Sequence, residues 1–260
     1  MSKLTAREIL IRFAKQYNNN WEAIFEALKE KKPVPDAVPD NFGDWTPVTL
    51  LDDNYPERFK QGIKPPFVFF TKGSMENLVD NMLLLITPRD CSEYNGIDRM
   101  FTELRNKKVP VVVHWKNRGA THNGVNYARE AIRAYAHSEV PFVVIFDADT
   151  ENLETIVSQV VFVGGLAITE RYPLSGEAAG VLPAARFAPL LAKAALLLAG
   201  RNQDDAELDL NYAVNAGIDI GALGWPAFLL DGKLCARAVQ EGATLIADEK
   251  DVLDLLKGNL

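Results

Sequence analysis

Apolar positions along this chain fall into short blocks of two kinds. Residues 67–70 (FVFF), 82–86 (MLLLI), 109–114 (VPVVVH) and 142–146 (FVVIF) are continuous apolar runs, which predicts buried strands. Between them the apolar residues recur at helical spacing. Ile97, Met100, Phe101 and Leu104 share one face within 96–106, and Val125, Ala128, Ile132, Tyr135 and Ala136 share another. Strand, helix, strand in succession predicts right-handed parallel βαβ units. The expected class is therefore α/β, a mostly parallel sheet flanked by helices. Ligands of such sheets collect at the carboxyl ends of strands, which makes the loop 115–124 the first place to look for a site.

The amino-terminal stretch has a different pattern. Thr5 with Glu8 resembles a capping box. Ile9, Phe13 and Tyr17 share a helical face, and Trp21, Ile24, Phe25 and Leu28 continue it after the break Asn18-Asn19-Asn20. This reads as a short helical cap on the main domain. Pro33, Pro35, Pro39 and Pro47 then mark a linker or an ordered irregular segment. The boundary falls there, giving a helical segment and linker over 1–47 and a main domain over 48–260. Later, 153–160 reads as a helix, and Gly164-Gly165 as a turn.

Composition narrows the class. The chain has 260 residues, 48% hydrophobic and 24% charged, enough for a sizeable core. Its two cysteines, Cys91 and Cys235, have no paired spacing, so neither a disulfide framework nor a structural zinc is expected and a reducing cytoplasm fits. The start has no apolar leader, and the run 190–199 contains Lys193 and is too short to span a bilayer, so no membrane role is expected. A net charge of −7 weighs against non-specific nucleic-acid binding while leaving room for a local basic patch.

The chemistry-bearing motifs are sparse. There is no nucleophile elbow and no G-x-G-x-x-G, and Gly164-Gly165 is not followed by Lys-Ser/Thr. No acid–base pair can be named, so neither an enzyme nor a cofactor is expected. Asp147, Asp149 and Glu151 alternate after a strand and offer oxygens of the kind Mg²⁺ prefers. No other acidic group is fixed opposite them, and a solvated strand end that caps the next helix is the favoured reading.

Several landmarks come in a familiar order. Tyr55-Pro56 precedes Pro65-Pro66 and Gly73; Arg118-Gly119 follows the third run; Glu170-Arg171-Tyr172-Pro173 follows; and 242–256 (GATLIADEKDVLDLL) closes the chain. Together they resemble the DNA-processing protein A (DprA/Smf) family of the Rossmann-like SLOG superfamily, over roughly residues 50–256. The resemblance implies a Rossmann-like fold, single-stranded DNA binding, dimerisation and loading of a recombinase, without catalysis.

The pocket motifs diverge from that family. Its Gly-Ser-Arg turn is Thr87-Pro88-Arg89 here, and Pro88 removes a backbone N–H that could meet a phosphate. The loop corresponding to its ARGID motif reads NRGAT, with Thr121 where Asp is expected, Val125 at the position of its histidine and His122 out of register. Its anion-binding helix start is replaced by Asp204-Asp205-Ala206-Glu207-Leu208-Asp209-Leu210, whose carboxylates favour the helix and repel phosphate. Nor is there the Pro-Gly-Gly-x-Gly-Thr motif of the related nucleoside-monophosphate phosphoribohydrolases.

The resulting expectation is a DprA-like, non-catalytic single-stranded DNA-binding protein. Arg89, Lys116, Arg118 and Arg186 would contact phosphates, and Trp115 or Tyr127 would stack on bases or else anchor the core. The alternatives are a scaffold that has lost DNA binding and works through a protein partner, or a pocket for a small nucleotide-like ligand.

Overall fold

Period-two alternation gives each buried strand two apolar faces, and the fold covers both. The computed structural model describes residues 4–36, 42–88, 97–115, 127–171, 181–200, 204–224 and 232–258. In chain order the elements are α1 (Ala6–Gln16), α2 (Trp21–Lys29), β1 (Thr46–Thr49), α3 (Glu57–Lys60), β2 (Val68–Lys72), β3 (Met82–Ile86), α4 (Ile97–Asn106), β4 (Val111–Trp115), α5 (Tyr127–Tyr135), β5 (Phe142–Phe146), α6 (Leu153–Phe162), β6 (Leu166–Thr169), β7 (Ala192–Leu197), α7 (Asp204–Asn215), β8 (Asp219–Leu223), α8 (Lys233–Gln240), β9 (Thr244–Ile246) and α9 (Glu249–Lys257). Short 3₁₀ turns at Ala184–Arg186 and Ala188–Leu191 precede β7.

The strands form a nine-stranded sheet in the order β1-β2-β6-β5-β4-β3-β7-β8-β9. From β3 to β9 every pairing is parallel. The hairpin partners β1 and β2 close one edge in antiparallel fashion. The chain winds outward from β3 through β4 and β5 to β6, then resumes on the other side of β3 with β7. The topological switch point therefore lies between β3 and β7, and a crevice belongs at the carboxyl ends of those strands.

Leu83, Leu85, Val111 and Val113 face a core covered by α1, α2, α4, α5, α6 and α9. Met82, Leu84, Ile86 and Val112 face a second core under α3, the 3₁₀ turns, α7 and α8. The expected α/β class is thus observed, with helices on both faces.

The amino-terminal helices share the first core. Leu10, Phe13, Ile24 and Ala27 pack with Val68 and Phe70 rather than building a core of their own. The capping box at Thr5 and Glu8 is formed. Asn18 and Asn19 make the turn to α2 in the left-handed region, at φ +48° and +58°. Asn19, only 3% exposed, donates through Nδ2 to the carbonyls of Val68 and Glu170, both at 2.7 Å.

Strand β1 was not legible from its residues. Pro47 argues against a central strand, but β1 is an edge strand, where a missing N–H breaks no ladder. Gly164, at φ +97°, closes the turn from α6 to β6. A Cβ on the next residue, Gly165, would lie 2.4 Å from the Phe142 ring, so both glycines have a structural reason. No helix among the described residues is long and apolar enough to cross a membrane.

Candidate functional site at the carboxyl edge of the sheet

The alternation that buries Val112, Ile145 and Ile168 on the α7 side carries one step further at the strand ends. Two residues beyond them, on the same face, stand His114, Asp147 and Glu170. The neighbouring strands β4, β5 and β6 thus present a row of ionisable groups at their carboxyl ends. Two groups meet this row from above: Asp209 on α7 and Arg186 on the 3₁₀ turn.

His114 is the centre of one cluster. It is 2% exposed, its Nδ1 lies 2.9 Å from Asp209 Oδ1, and its Nε2 lies 3.0 Å from Asp147 Oδ2. The Asp209 contact is a hydrogen bond. The Asp147 contact is a close ion pair without hydrogen-bond alignment. Burial alone would push the imidazole down, but the carboxylates of Asp147 and Asp209 outweigh it and raise the histidine to about 10. Asp147 also accepts from the backbone N–H of Ala184 at 2.8 Å, which ties the 3₁₀ turn to β5.

Glu170 and Arg186 form the second cluster. Arg186 Nη2 donates to Glu170 Oε1 at 2.6 Å, and its Nη1 donates to Oε2, a bidentate pair. Its remaining donors go to the carbonyls of Lys64, Leu182 and Pro183. Burial pushes the Glu170 carboxyl up, Arg186 opposes this, and the charge of Asp147 adds to the rise. Tyr55 lies beside the pair and donates to the Pro66 carbonyl at 2.9 Å. The Tyr-Pro and Pro-Pro landmarks are therefore joined by that bond.

Several expectations for the site are corrected by these placements. Arg186 is 6% exposed, and its guanidinium is committed to Glu170 and three carbonyls, so it is not presented to a phosphate. Trp115 is 2% exposed, with its ring 6.0 Å from Phe146 and the Arg129 guanidinium carbon 5.8 Å from its centroid. Tyr127 is also 2% exposed and donates to the Ala199 carbonyl at 3.0 Å. Both rings belong to the core and offer no face to a base. Arg89, Lys116, Arg118 and His122 lie outside the described residues.

The acidic candidates divide in the same way. Asp147 turns inward to His114 and Ala184, whereas Asp149 and Glu151 are exposed. No trio of His, Cys, Asp or Glu among the described residues is placed to hold a metal. The stretch does not cap α6 either, because Asn152 occupies the N-cap with no side-chain hydrogen bond. The acidic run does start α7 as expected, but Asp209 is 2% exposed and faces His114. Its inward aim follows from its position beside Leu210 on the buried face, a signal the charge count alone concealed.

Five stretches outside the description, 89–96, 116–126, 172–180, 201–203 and 225–231, follow the carboxyl ends of β3, β4, β6, β7 and β8. By sequence, these stretches contain Arg89, Lys116 and Arg118.

Sheet order and switch point define a Rossmann-like α/β fold. Within that class the architecture is similar to that of DNA processing protein A. The crystal structure of that protein from Streptococcus pneumoniae is similar at a TM-score of 0.68 and 16% identity, covering 97% of this chain and 98% of the other. The structure of DNA processing protein A from Helicobacter pylori, described as giving insight into its unique single-stranded DNA binding mode, is similar at a TM-score of 0.60 and 14% identity, covering 83% of this chain and 96% of the other. No family model and no curated protein matches by sequence. At these identities the likeness is one of fold.

Proposed function

We propose that this chain is a cytoplasmic, non-catalytic single-stranded DNA-binding protein that acts as an accessory in DNA processing or recombination and binds its ligand along the carboxyl edge. The observation that carries the reading is a fold shared over 83% of this chain with a protein described by its single-stranded DNA binding mode. Arg89, Lys116 and Arg118 are the proposed phosphate contacts, since each stands in a segment that leaves the carboxyl end of β3 or β4. Stacking by Trp115 and Tyr127 drops out of the proposal, and so does the phosphate role of Arg186. A homodimer that hands DNA to a recombinase is the arrangement the resemblance implies.

A second reading rests on two observations. The net charge is −7, and the exposed Asp204 opens α7 where an anion would otherwise meet backbone N–H groups. This suits a scaffold that engages a protein partner instead.

Fluorescence anisotropy with a labelled single-stranded oligonucleotide separates the two. Three phosphate contacts on a single strand predict a fall in affinity of roughly 20-fold between about 50 and about 200 mM salt. Binding should be lost in Arg89→Ala/Arg118→Ala. No binding at low salt would overturn the DNA reading and leave the protein partner.

A further inference from the structure

A neutral imidazole carries one N–H, yet both ring nitrogens of His114 face a carboxylate oxygen at about hydrogen-bonding distance, 2.9 and 3.0 Å. With both carboxyls ionised, only the imidazolium suits both. Its two partners come from different layers: Asp147 continues β5 in the sheet, and Asp209 lies on α7 above it. Asp209 and His114 are each 2% exposed, so solvent does not substitute for either. The other charged groups facing this trio among the described residues are Glu170 and Arg186, which neutralise one another beside Asp147. The first turn of α7, from Asp204, directly follows the segment that leaves β7 at the switch point.

We propose that His114 is a positioning residue of the carboxyl-edge site: shared as an imidazolium by Asp147 and Asp209, it fastens α7 to the ends of β4 and β5 and so sets where the amino end of α7 stands relative to bound nucleic acid. The effect on the ligand rests on the proposed DNA-binding function; the fastening itself does not. Asp209 then helps binding, although its charge has the wrong sign for a phosphate. The raised affinity of His114 for its proton agrees with this arrangement.

The test uses the full chain and three readouts. Nitrogen-15 spectra of the histidine rings at about pH 8 should show both His114 nitrogens protonated; a single N–H would overturn the proposal. In Asp209→Asn, amide exchange over 206–212 should quicken by about 10-fold or more while β3 and β4 keep their protection. Unchanged exchange in α7 would overturn the fastening. With a labelled oligothymidine, Asp209→Asn and His114→Gln should each weaken binding by roughly 5-fold or more. A carboxylate that only repels phosphate predicts tighter binding for Asp209→Asn, and that result would overturn the positioning role. If the wild-type chain binds no oligothymidine while the spectra and exchange behave as stated, the DNA reading fails and the fastening stands.

Discussion

The two ends of the same strands are finished with different chemistry. At the amino edge the contacts run mainly from side chains to backbone groups, with Arg58 donating to the Ala192 carbonyl at 3.1 Å and Arg105 to that of Ala134 at 3.0 Å, and the ion pairs of Lys72 there are not fully buried. Tyr135 donates to the Val109 carbonyl at 2.9 Å, and Asn77 donates to the Gly164 carbonyl at 3.1 Å while accepting from the N–H of Phe142 at 3.4 Å. At the carboxyl edge the row is ionic: His114, Asp147 and Glu170, answered by Asp209 and Arg186. Helix α5 spans the two edges with the same neutral bond at each end, since its first residue, Tyr127, donates to the Ala199 carbonyl and its last, Tyr135, to that of Val109. A buried charge is costly and is tolerated only when paired. The sheet concentrates that cost at the edge where parallel α/β folds bind ligands.

The contrast can be broken hardest at the Glu170–Arg186 pair. Arg186→Met leaves Glu170 buried and unpaired, and should cost about 3–5 kcal/mol of unfolding free energy in a urea titration. A loss of less than about 1 kcal/mol would mean that Glu170 does not depend on Arg186 for its burial.

The pH dependence is the next largest effect. The folded His114 titrates at about 10 against 6.5 for an ordinary histidine. A group whose folded value is raised contributes stability that is complete below its unfolded value and is lost as pH rises toward the folded one. Between about pH 7 and about pH 8.5 unfolding free energy should therefore fall by about 1.4 kcal/mol per pH unit, and His114→Gln should flatten that slope. A wild-type slope near zero would show that the histidine is not held charged. The tyrosines do not enter this window, because burial raises both Tyr55 and Tyr135 above their ordinary value of 10.

The smallest effect belongs to the amino edge. Tyr135→Phe should cost about 1 kcal/mol, the size of one neutral hydrogen bond, with no change across that pH window. A pH-dependent loss there would erase the distinction between the edges.

The fold was legible because its evidence is periodic. The runs at 82–86, 109–114 and 142–146 are strands, and the faces built on Ile97 and Val125 lead to α4 and α5. Edge strand β1 escaped because Pro47 is tolerated only by virtue of its neighbours. The site was less legible for the same reason. His114 reads as the end of an apolar strand, and Asp209 reads as one of several acids opening a helix. What joins them is a side-chain contact from α7, which packs over β3, β7 and β8, to the end of β4, between positions 95 residues apart. Arg186 carries a charge that suggested phosphate, but its buried partner Glu170 stands 16 residues away and only the folded chain shows the match.

The most direct test of the account is a hydrogen-exchange footprint of the full chain with and without an oligothymidine. The carboxyl-edge reading predicts that bound DNA slows exchange at 114–115, 147–150 and 198–200 and in the first turn of α7, and leaves 77–79, 137–141 and 163–165 unchanged. Protection confined to the amino-edge segments would contradict it.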